Sequence, residues 1–455
     1  MRLCCRILFH TLVILSILTI GRLIKLEIHY FSMMTKKHTL KNLSHYFPAL
    51  MSASSQDRSR YCFDNAATAC TLEPAIAAMK HFYETAHGSV HRGIYAPAEH
   101  TTQLYEDVRI AAATFIGAQH ASEIIFTSGA TDSLNTVAYV WARHILEPGD
   151  GIIITQAEHH AHYVLWHQIA QECKAHVYVL PIDPRTFCVD LSGLSHVLTK
   201  SIKVVAVTMS SNVLGPIWGR DGVLLDQLIK HARAAGAGIV LDAAQAVAHT
   251  RLAVNQLDCD FLAFSVHKMG GPTGLGVLYA RSRMHPVMKP YRFGGGMVAA
   301  VASDFMTWQS PPHCFEAGTP PIAQVVGFGA VLEFYKKHVE FDALVEHEAA
   351  LCAQLIEGLS AIPGVTVVGN TELLSRHGHV VSWYVDGIHA HDIAATLSDY
   401  GCDLRAGDHC AHPLSEVWGK RATVRASFFM YTLPSDVAYL IEAVAKTVKA
   451  WRALV

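Results

Sequence analysis

The chain has 455 residues, 51% of them apolar and 16% charged, with a formal charge of -2. That length exceeds one small core and that composition describes a folded chain of two or three domains, without the basic excess that a nucleic-acid or anionic-membrane partner requires. The 11 cysteines are odd in number and scattered without paired zinc spacing, which leads to the expectation of reduced thiols in a cytosol-like, cytoplasmic setting and excludes a disulfide framework.

The first fifty residues differ from the rest. "RILFHTLVILSILTIGRLIKLEIHY" carries an apolar run over residues 7–20, flanked by Arg2, Arg6, Arg22 and Lys25. A bilayer span takes about 20 apolar residues, and no small-x-small cleavage site follows. Residues 1–50 are therefore read as an extension, either a hydrophobic anchor or a stretch upstream of a start at Met33, Met34 or Met51. The chemical motifs all follow residue 60.

From about residue 120 short apolar runs alternate with helix-like stretches: "EIIFTS", "GIIITQ", "HVYVLPI", "VVAVTMS", "AGIVLDAA" and "FLAFSV". Intervening segments such as 221–235 are long enough for crossover helices, so the pattern predicts βαβ units in a largely parallel sheet covered on both faces. Ligands of such sheets sit at the carboxyl ends of the strands. After the first run, "GATDSLN" offers a helix start at Ala130 and Thr131 whose free N–H groups suit an anion; Thr131 as a plain helix cap is the simpler alternative. After the second, "AEHHAHYVLWH" holds His159, His160, His162 and His167. A zinc set is disfavoured because adjacent histidines on extended chain diverge and no cysteine or carboxylate pair completes it; one imidazole stacked on a flat ligand fits better. After "GIVL" come Asp242 and Gln245, the aspartate being either a helix cap or a carboxylate partner for a protonated ring nitrogen. After the strand predicted at 261–266 comes Lys268, in a turn crowded by Gly270, Gly271, Gly274 and Gly276 ahead of a further strand at 274–280. A turn lysine is ordinarily solvated. Held inside a pocket it loses basicity and becomes an amine able to form a Schiff base.

Past residue 325 the texture changes. A helix is predicted from Gln324 onward through Leu359, followed by strands in "GVTVVG", "GHVVSWYV" and "TVRASFF" and a closing helix from Ser435, the pattern of a smaller α+β domain. "LRAGDHCAHP" sets Cys410 among cations in a glycine-containing loop, which favours a nucleophilic thiolate. Arg425 ends an apolar run where its guanidinium can fork onto a carboxylate.

Taken in order, "FDNAATA", "VHRG", "AEHHAH", "SNVLG", "DAAQAV", "FSVHKMGGPTG", "FEAGTP" and "LRAGDHCAHP" resemble the class V, fold-type I pyridoxal-phosphate enzymes of the cysteine desulfurase, selenocysteine lyase and cysteine sulfinate desulfinase group, from about Tyr61 to the C-terminus. The resemblance implies an α/β large domain over 76–322 with a mainly parallel sheet, a small C-terminal α+β domain over 323–455 carrying the cysteine loop, and a segment 61–75 packing with the small domain. It implies pyridoxal 5'-phosphate covalently held by Lys268, stacked on by His159, paired with Asp242 and touched by Gln245. Its phosphate would lie on Ala130, Thr131, Ser265 and His267, with Thr319 reaching it from a partner subunit, hence a homodimer. His91, Asn212, Arg405 and Arg425 would surround the amino-acid substrate. Cys410 would take sulfur from L-cysteine as a persulfide and pass it to a SufE-type sulfur acceptor protein, as in iron–sulfur cluster assembly.

Val266, Gly270, His162 and Asp408 depart from the group's usual pattern. Valine resists the positive φ that glycine takes, so the turn before Lys268 is expected to keep a negative φ there; a carboxylate at Asp408 is expected to oppose thiolate formation at Cys410. Two alternatives stand beside desulfuration. One is a desulfinase or selenocysteine lyase that does not need Cys410. The other is a non-catalytic sulfur-relay or membrane-tethered assembly protein, against which the joint presence of Lys268, Asp242, His159 and Cys410 argues.

Overall fold

Seven short runs rich in Ile, Val and Phe form one sheet in the computed structural model, which describes residues 43–54, 60–198, 201–215 and 224–453. In chain order the elements of this part are helices α1 (Glu73–Thr85) and α2 (Ala96–Ile116), β1 (Ile124–Thr127), α3 (Ala130–Val137), β2 (Gly151–Thr155), α4 (His160–Cys173), β3 (His176–Leu180), β4 (Ile202–Thr208), α5 (Leu224–Ala234), β5 (Gly238–Asp242), β6 (Phe261–Ser265) and β7 (Gly276–Ala280). The strand order is β1-β7-β6-β5-β4-β2-β3. All neighbours run parallel except those of β7, which is antiparallel to both β1 and β6. Strands β1, β2, β6 and β7 are buried at every position, which is why they read as continuous apolar runs instead of alternating ones. An apolar core including Trp141, Trp166, Ile152, Ile154, Phe261 and Leu278 fills the space between sheet and helices.

The C-terminal part is built from α6 (Ile322–His338), α7 (Phe341–Ser360), β8 (Val365–Val368), β9 (Val380–Val385), α8 (Ala390–Asp399), β10 (Arg405–Gly407), β11 (Thr423–Ser427) and α9 (Pro434–Arg452). Its sheet, in the order β8-β9-β11-β10, is antiparallel throughout. A second core, with Trp383, Leu355, Leu359, Phe428 and Leu440, lies between that sheet and its helices. The single helix expected from Gln324 to Leu359 is two helices: the chain turns at Val339 and Glu340, both extended in φ and ψ, although the apolar periodicity continues across the break. Helix α6 packs on α1 and α2, with Tyr335 edge-on to Phe115.

The segment ahead of the large sheet is tied to both parts. Tyr61 and Cys62 pair in parallel with Cys402 and Asp403, while Ala69 and Leu72 donate backbone N–H groups to His267 and Gly270 of the lysine turn. Further upstream, Leu43 and Phe47 are buried, and the Phe47 ring lies 4.6 Å from Tyr431 and 6.1 Å from Phe429. A chain beginning at Met51 would lose that packing, whereas one beginning at Met33 or Met34 would keep it. Met33, Met34 and the apolar run at 7–20 lie outside the described residues. None of the described helices is long and apolar enough to cross a membrane, and the nine cysteines among the described residues are unpaired.

Candidate active site

The strand ends converge as open parallel sheets require. The turns after β1, β2, β4, β5 and β6, together with the Cys410 loop of the small sheet, enclose a cavity of about 350 Å³. Ala130, Thr131, His159, Asn212, Asp242, Gln245, Ser265, His267, Lys268, Arg405, Cys410 and Arg425 all line it, so twelve of the residues singled out from sequence meet in one place although they span 130 to 425.

Lys268 stands in a 3-10 turn, Val266–Met269, that follows β6 and ends at Gly270 with φ 80°. Val266 is absent from the positive-φ residues, its side chain is buried and its N–H donates to the Leu275 carbonyl. The turn therefore accepts a valine by keeping it in ordinary backbone space. Burial lowers the Lys268 amine to about 8, with Asp242 pulling the other way and Arg425 and Arg405 adding to the drop. Asp242 is itself buried at the end of β5, its Oδ1 accepting the Ala244 N–H at 2.8 Å. Gln245 donates from Nε2 to the Ala66 carbonyl.

His159 caps α4: its Nδ1 accepts the Ala161 N–H at 3.1 Å, which puts the ring proton on Nε2. Burial, then the Lys268 charge, lower it to about 4, so the imidazole facing the cavity is neutral. The other histidines of that motif diverge for a reason different from the one expected. His160 onward is helical, not extended, so successive side chains turn about 100° apart. His162 is buried against Glu158 at 2.8 Å, His160 stacks on His412, and His167 lies on Tyr163.

At the start of α3 the Ala130 N–H donates to Ser265 Oγ at 2.7 Å. A Cβ at Gly276 would lie 2.4 Å from the Gly129 backbone, so only glycine lets β7 pass this close under the helix start. These features fit pyridoxal phosphate: a lysine of lowered basicity, a buried carboxylate, a neutral imidazole and a helix start share a cavity of suitable size.

The opposite wall is cationic. Arg405 and Arg425 are directly opposed across β10 and β11, an unfavourable pairing unless a counter-charge intervenes. Asp64 supplies it, with Oδ1 3.0 Å from Arg425 Nη2 and Oδ2 2.9 Å from Arg405 Nη2. One carboxylate between two guanidiniums leaves a net positive charge, and the buried Arg425 Nε has no partner among the described residues. The arrangement suits a guest carboxylate.

Cys410 is exposed at the mouth. It and His409 have φ of 57° and 54°, a left-handed pair that costs non-glycine residues roughly 1–3 kcal/mol each and is held from several sides. Asn212 Nδ2 donates to the His409 carbonyl at 2.6 Å, the Cys410 carbonyl accepts the His160 N–H, and the Cys410 N–H donates to Asp408 Oδ1. The other Asp408 oxygen lies 2.5 Å from His412 Nε2. Asp408 thus braces the loop, a different task from the one its charge alone suggested.

Two expected site residues are elsewhere in this chain. His91, with φ 69° and its Nε2 on Glu106, and Thr319 line a second concavity of about 330 Å³; the motif order carried no distance information for them. Conversely, Asp64, Ala66, Ala67 and Ser210 belong to the site without having been singled out. Asp64 sits in the quoted "FDNAATA", where an acidic residue ahead of a small-residue run was the available signal.

The aminotransferase class-V family model matches residues 61–440. A probable cysteine desulfurase of Halobacterium salinarum is 38% identical over 398 residues, covering 88% of this chain and 94% of the relative; a cysteine desulfurase of Serratia proteamaculans is 37% identical, covering 85% and 93%. Among solved structures, the Escherichia coli cysteine desulfurase CsdA superposes with a TM-score of 0.80 at 36% identity over 89% of this chain and 97% of that one. An apo cysteine desulfurase of Thermococcus onnurineus does so with a TM-score of 0.82 at 35% identity, over 90% and 98%.

Proposed function

The chain belongs to the aminotransferase class-V family, and from that premise we propose that it is a pyridoxal-phosphate-dependent cysteine desulfurase, converting L-cysteine to L-alanine and leaving the sulfur on Cys410. The observation that carries this reading is that Cys410 lines the same cavity as Lys268. When bound, the cofactor supplies the electron sink that weakens the bonds at the substrate's Cα.

The protein's own residues supply the rest. Lys268 would hold the cofactor and supply the amine that moves a proton at substrate Cα. Asp242 would be the carboxylate partner of its ring nitrogen, and His159 would offer it a neutral imidazole. Arg425 and Arg405 grip the substrate carboxylate, which orients the side chain toward the mouth. There the Cys410 sulfur attacks the substrate sulfur: the S–S bond forms, the Cβ–S bond breaks with its electron pair remaining on carbon, and a proton completes the methyl group of alanine. An exposed cysteine is then open to a SufE-type acceptor that feeds iron–sulfur cluster assembly.

We further propose a homodimer in a cytoplasmic setting, in which Thr319 reaches the phosphate site of the other subunit; the substrate role of His91 rests on the same pairing. Within the chain, 61–75, 76–322 and 323–455 remain the working division into segment, large domain and small domain. The test is to supply L-cysteine to the purified holoenzyme. Alanine should be released and one added sulfur found on Cys410 by mass spectrometry. Alanine release with the sulfur on another cysteine would overturn the assignment of Cys410.

A further inference from the structure

Outside the cavity, the "VHRG" turn, helix α2 and the "PPHCFEAGTP" turn bring a second group of donors together. The Nε2 of His91 lies 3.0 Å from Glu106 Oε1. The rings of His91 and His313 are 4.9 Å apart between centroids and inclined at 67°. One ligand atom from each of the three residues lies within 4.8 Å of the other two. We propose that His91, Glu106 and His313 form a binding site for a divalent late-transition ion, zinc before others.

The ligand set is the two-histidine, one-carboxylate set that zinc takes when a fourth position stays open, with bonds of about 2.0–2.2 Å. Around such an ion the ligand atoms would stand about 3.3 Å apart; His91 and Glu106 are already at 3.0 Å, and the remaining pairs, within 4.8 Å, close by at most about 1.5 Å. His91 and His313 line the concavity that Gly295, Gly296 and Thr319 also line, where water or a small thiol has room to take the fourth position.

The surroundings prepare the carboxylate for this. Arg109 is buried and donates from Nε to Glu106 Oε2 at 2.9 Å, which fixes the carboxylate plane; its weaker Nη2 contact to Oε1, at 3.3 Å, leaves that oxygen with His91 as the nearer partner. Such outer contacts orient ligands in metal sites generally. The positive charge that Arg109 brings is answered twice, because it also donates to both oxygens of Glu316 at 2.6 and 2.9 Å, so one guanidinium stands between two carboxylates. Arg92 reaches the same concavity but its guanidinium donates to the Val298 carbonyl. A histidine–carboxylate hydrogen bond alone would not call for His313 to converge on the same point.

All three ligands come from one chain, so ion binding can be read without sulfur turnover. The test uses full-length, cofactor-loaded Cys410→Ser protein, which removes the exposed thiol as a competing ligand, stripped of metal and titrated with Zn2+ by calorimetry. Binding of one ion per chain is expected, with a nitrogen and oxygen shell and no sulfur by X-ray absorption, and a rise of the thermal midpoint on adding Zn2+. His313→Gln should weaken binding about a hundredfold or more, at or beyond the upper end of what losing an outer partner of a ligand costs, whereas His313→Asp, which keeps a ligand atom, should bind within about tenfold of the parent; cofactor absorbance confirms that both are folded. Absence of Zn2+ binding at tens of micromolar, sulfur in the shell, or an unchanged affinity in folded His313→Gln would overturn the proposal.

Discussion

The two walls of the cavity are built on opposite plans. The cofactor wall is the carboxyl edge of a parallel sheet: Asp242, Ser265 and the Lys268 turn follow strands buried on both faces, and their positions are set by backbone ladders. The sulfur wall is a short edge strand and a strained loop of a small antiparallel sheet. Cys410 is exposed there and held by hydrogen bonds, not core packing: its N–H donates to Asp408, its carbonyl accepts the His160 N–H, and Asn212 donates to the adjoining His409 carbonyl. A group that must stay aligned with a flat ring benefits from the first plan. A group that must receive sulfur and then hand it on benefits from the second, because local stability sets how readily a segment opens. The comparison predicts that changes on the cofactor wall abolish chemistry outright, while changes on the sulfur wall separate one substrate from another.

The largest effect is expected at Lys268. Lys268→Ala removes both the amine that holds the cofactor and the group that moves the Cα proton, so turnover on every substrate should fall to background. A borohydride-trappable adduct on the variant, or residual alanine release, would place the essential amine elsewhere.

The sulfur wall has its own buttress, and removing it is next in size. Phe47 is fully buried against Phe429 and Tyr431, just beyond β11, and the Tyr431 hydroxyl receives the Cys70 N–H at 3.2 Å. Phe47→Ala should cost about 3–5 kcal/mol of stability through the cavity it leaves, and a chain begun at Met51 should lose as much or more. Urea melts of the two against the parent read this directly; a midpoint shift near zero would mean that the segment rests on the surface without supporting it.

Cys410→Ser tests the division between the walls. Cleaving cysteine's carbon–sulfur bond demands a nucleophile to take the sulfur, so activity on cysteine should drop roughly a hundredfold or more, equal to about 3 kcal/mol of barrier. Cysteine sulfinate and selenocysteine release their leaving fragments more easily, and much of that activity should survive. Equal losses on all three would make Cys410 a structural or binding residue and erase the functional contrast drawn from its exposure.

How much of this was legible in the chain follows from the same contrast. Strands buried on both faces leave continuous apolar runs, and the polar residue after each run is the one at the sheet's edge, so Asp242, Lys268 and His159 could be read locally. The break between α6 and α7 could not, because buried Val339 and Phe341 carry the apolar pattern past Glu340 and no proline or glycine marks the turn. Asp64 was missed for a related reason: its partners Arg405 and Arg425 lie 341 and 361 residues away, and a counter-ion made by tertiary contact has no period. His91 went the other way. Its motif was recognised, but the order of motifs fixes no distances, and in this chain the residue turns to Glu106 and His313.

The smallest predicted effect concerns pH and sharpens the account of the cofactor wall. Attack of the Lys268 amine on the aldehyde of free pyridoxal phosphate requires the neutral amine. Burial lowers that amine to about 8 against the opposing pull of Asp242, so about a tenth of it is neutral at pH 7 and about half at pH 8. Cofactor capture by the apoenzyme should therefore quicken about fivefold over that unit and level off above roughly pH 9. An ordinary lysine would continue to gain about tenfold per unit to near pH 10. The stability of the apoenzyme follows with a definite sign: between about pH 8 and the usual lysine value the unfolded chain holds the proton that the folded one has released, so this residue's contribution rises with pH across that window. Stopped-flow absorbance during reconstitution distinguishes the two curves, and a rate still climbing tenfold per unit at pH 10 would show that the strand-end pocket leaves Lys268 as basic as a solvated side chain.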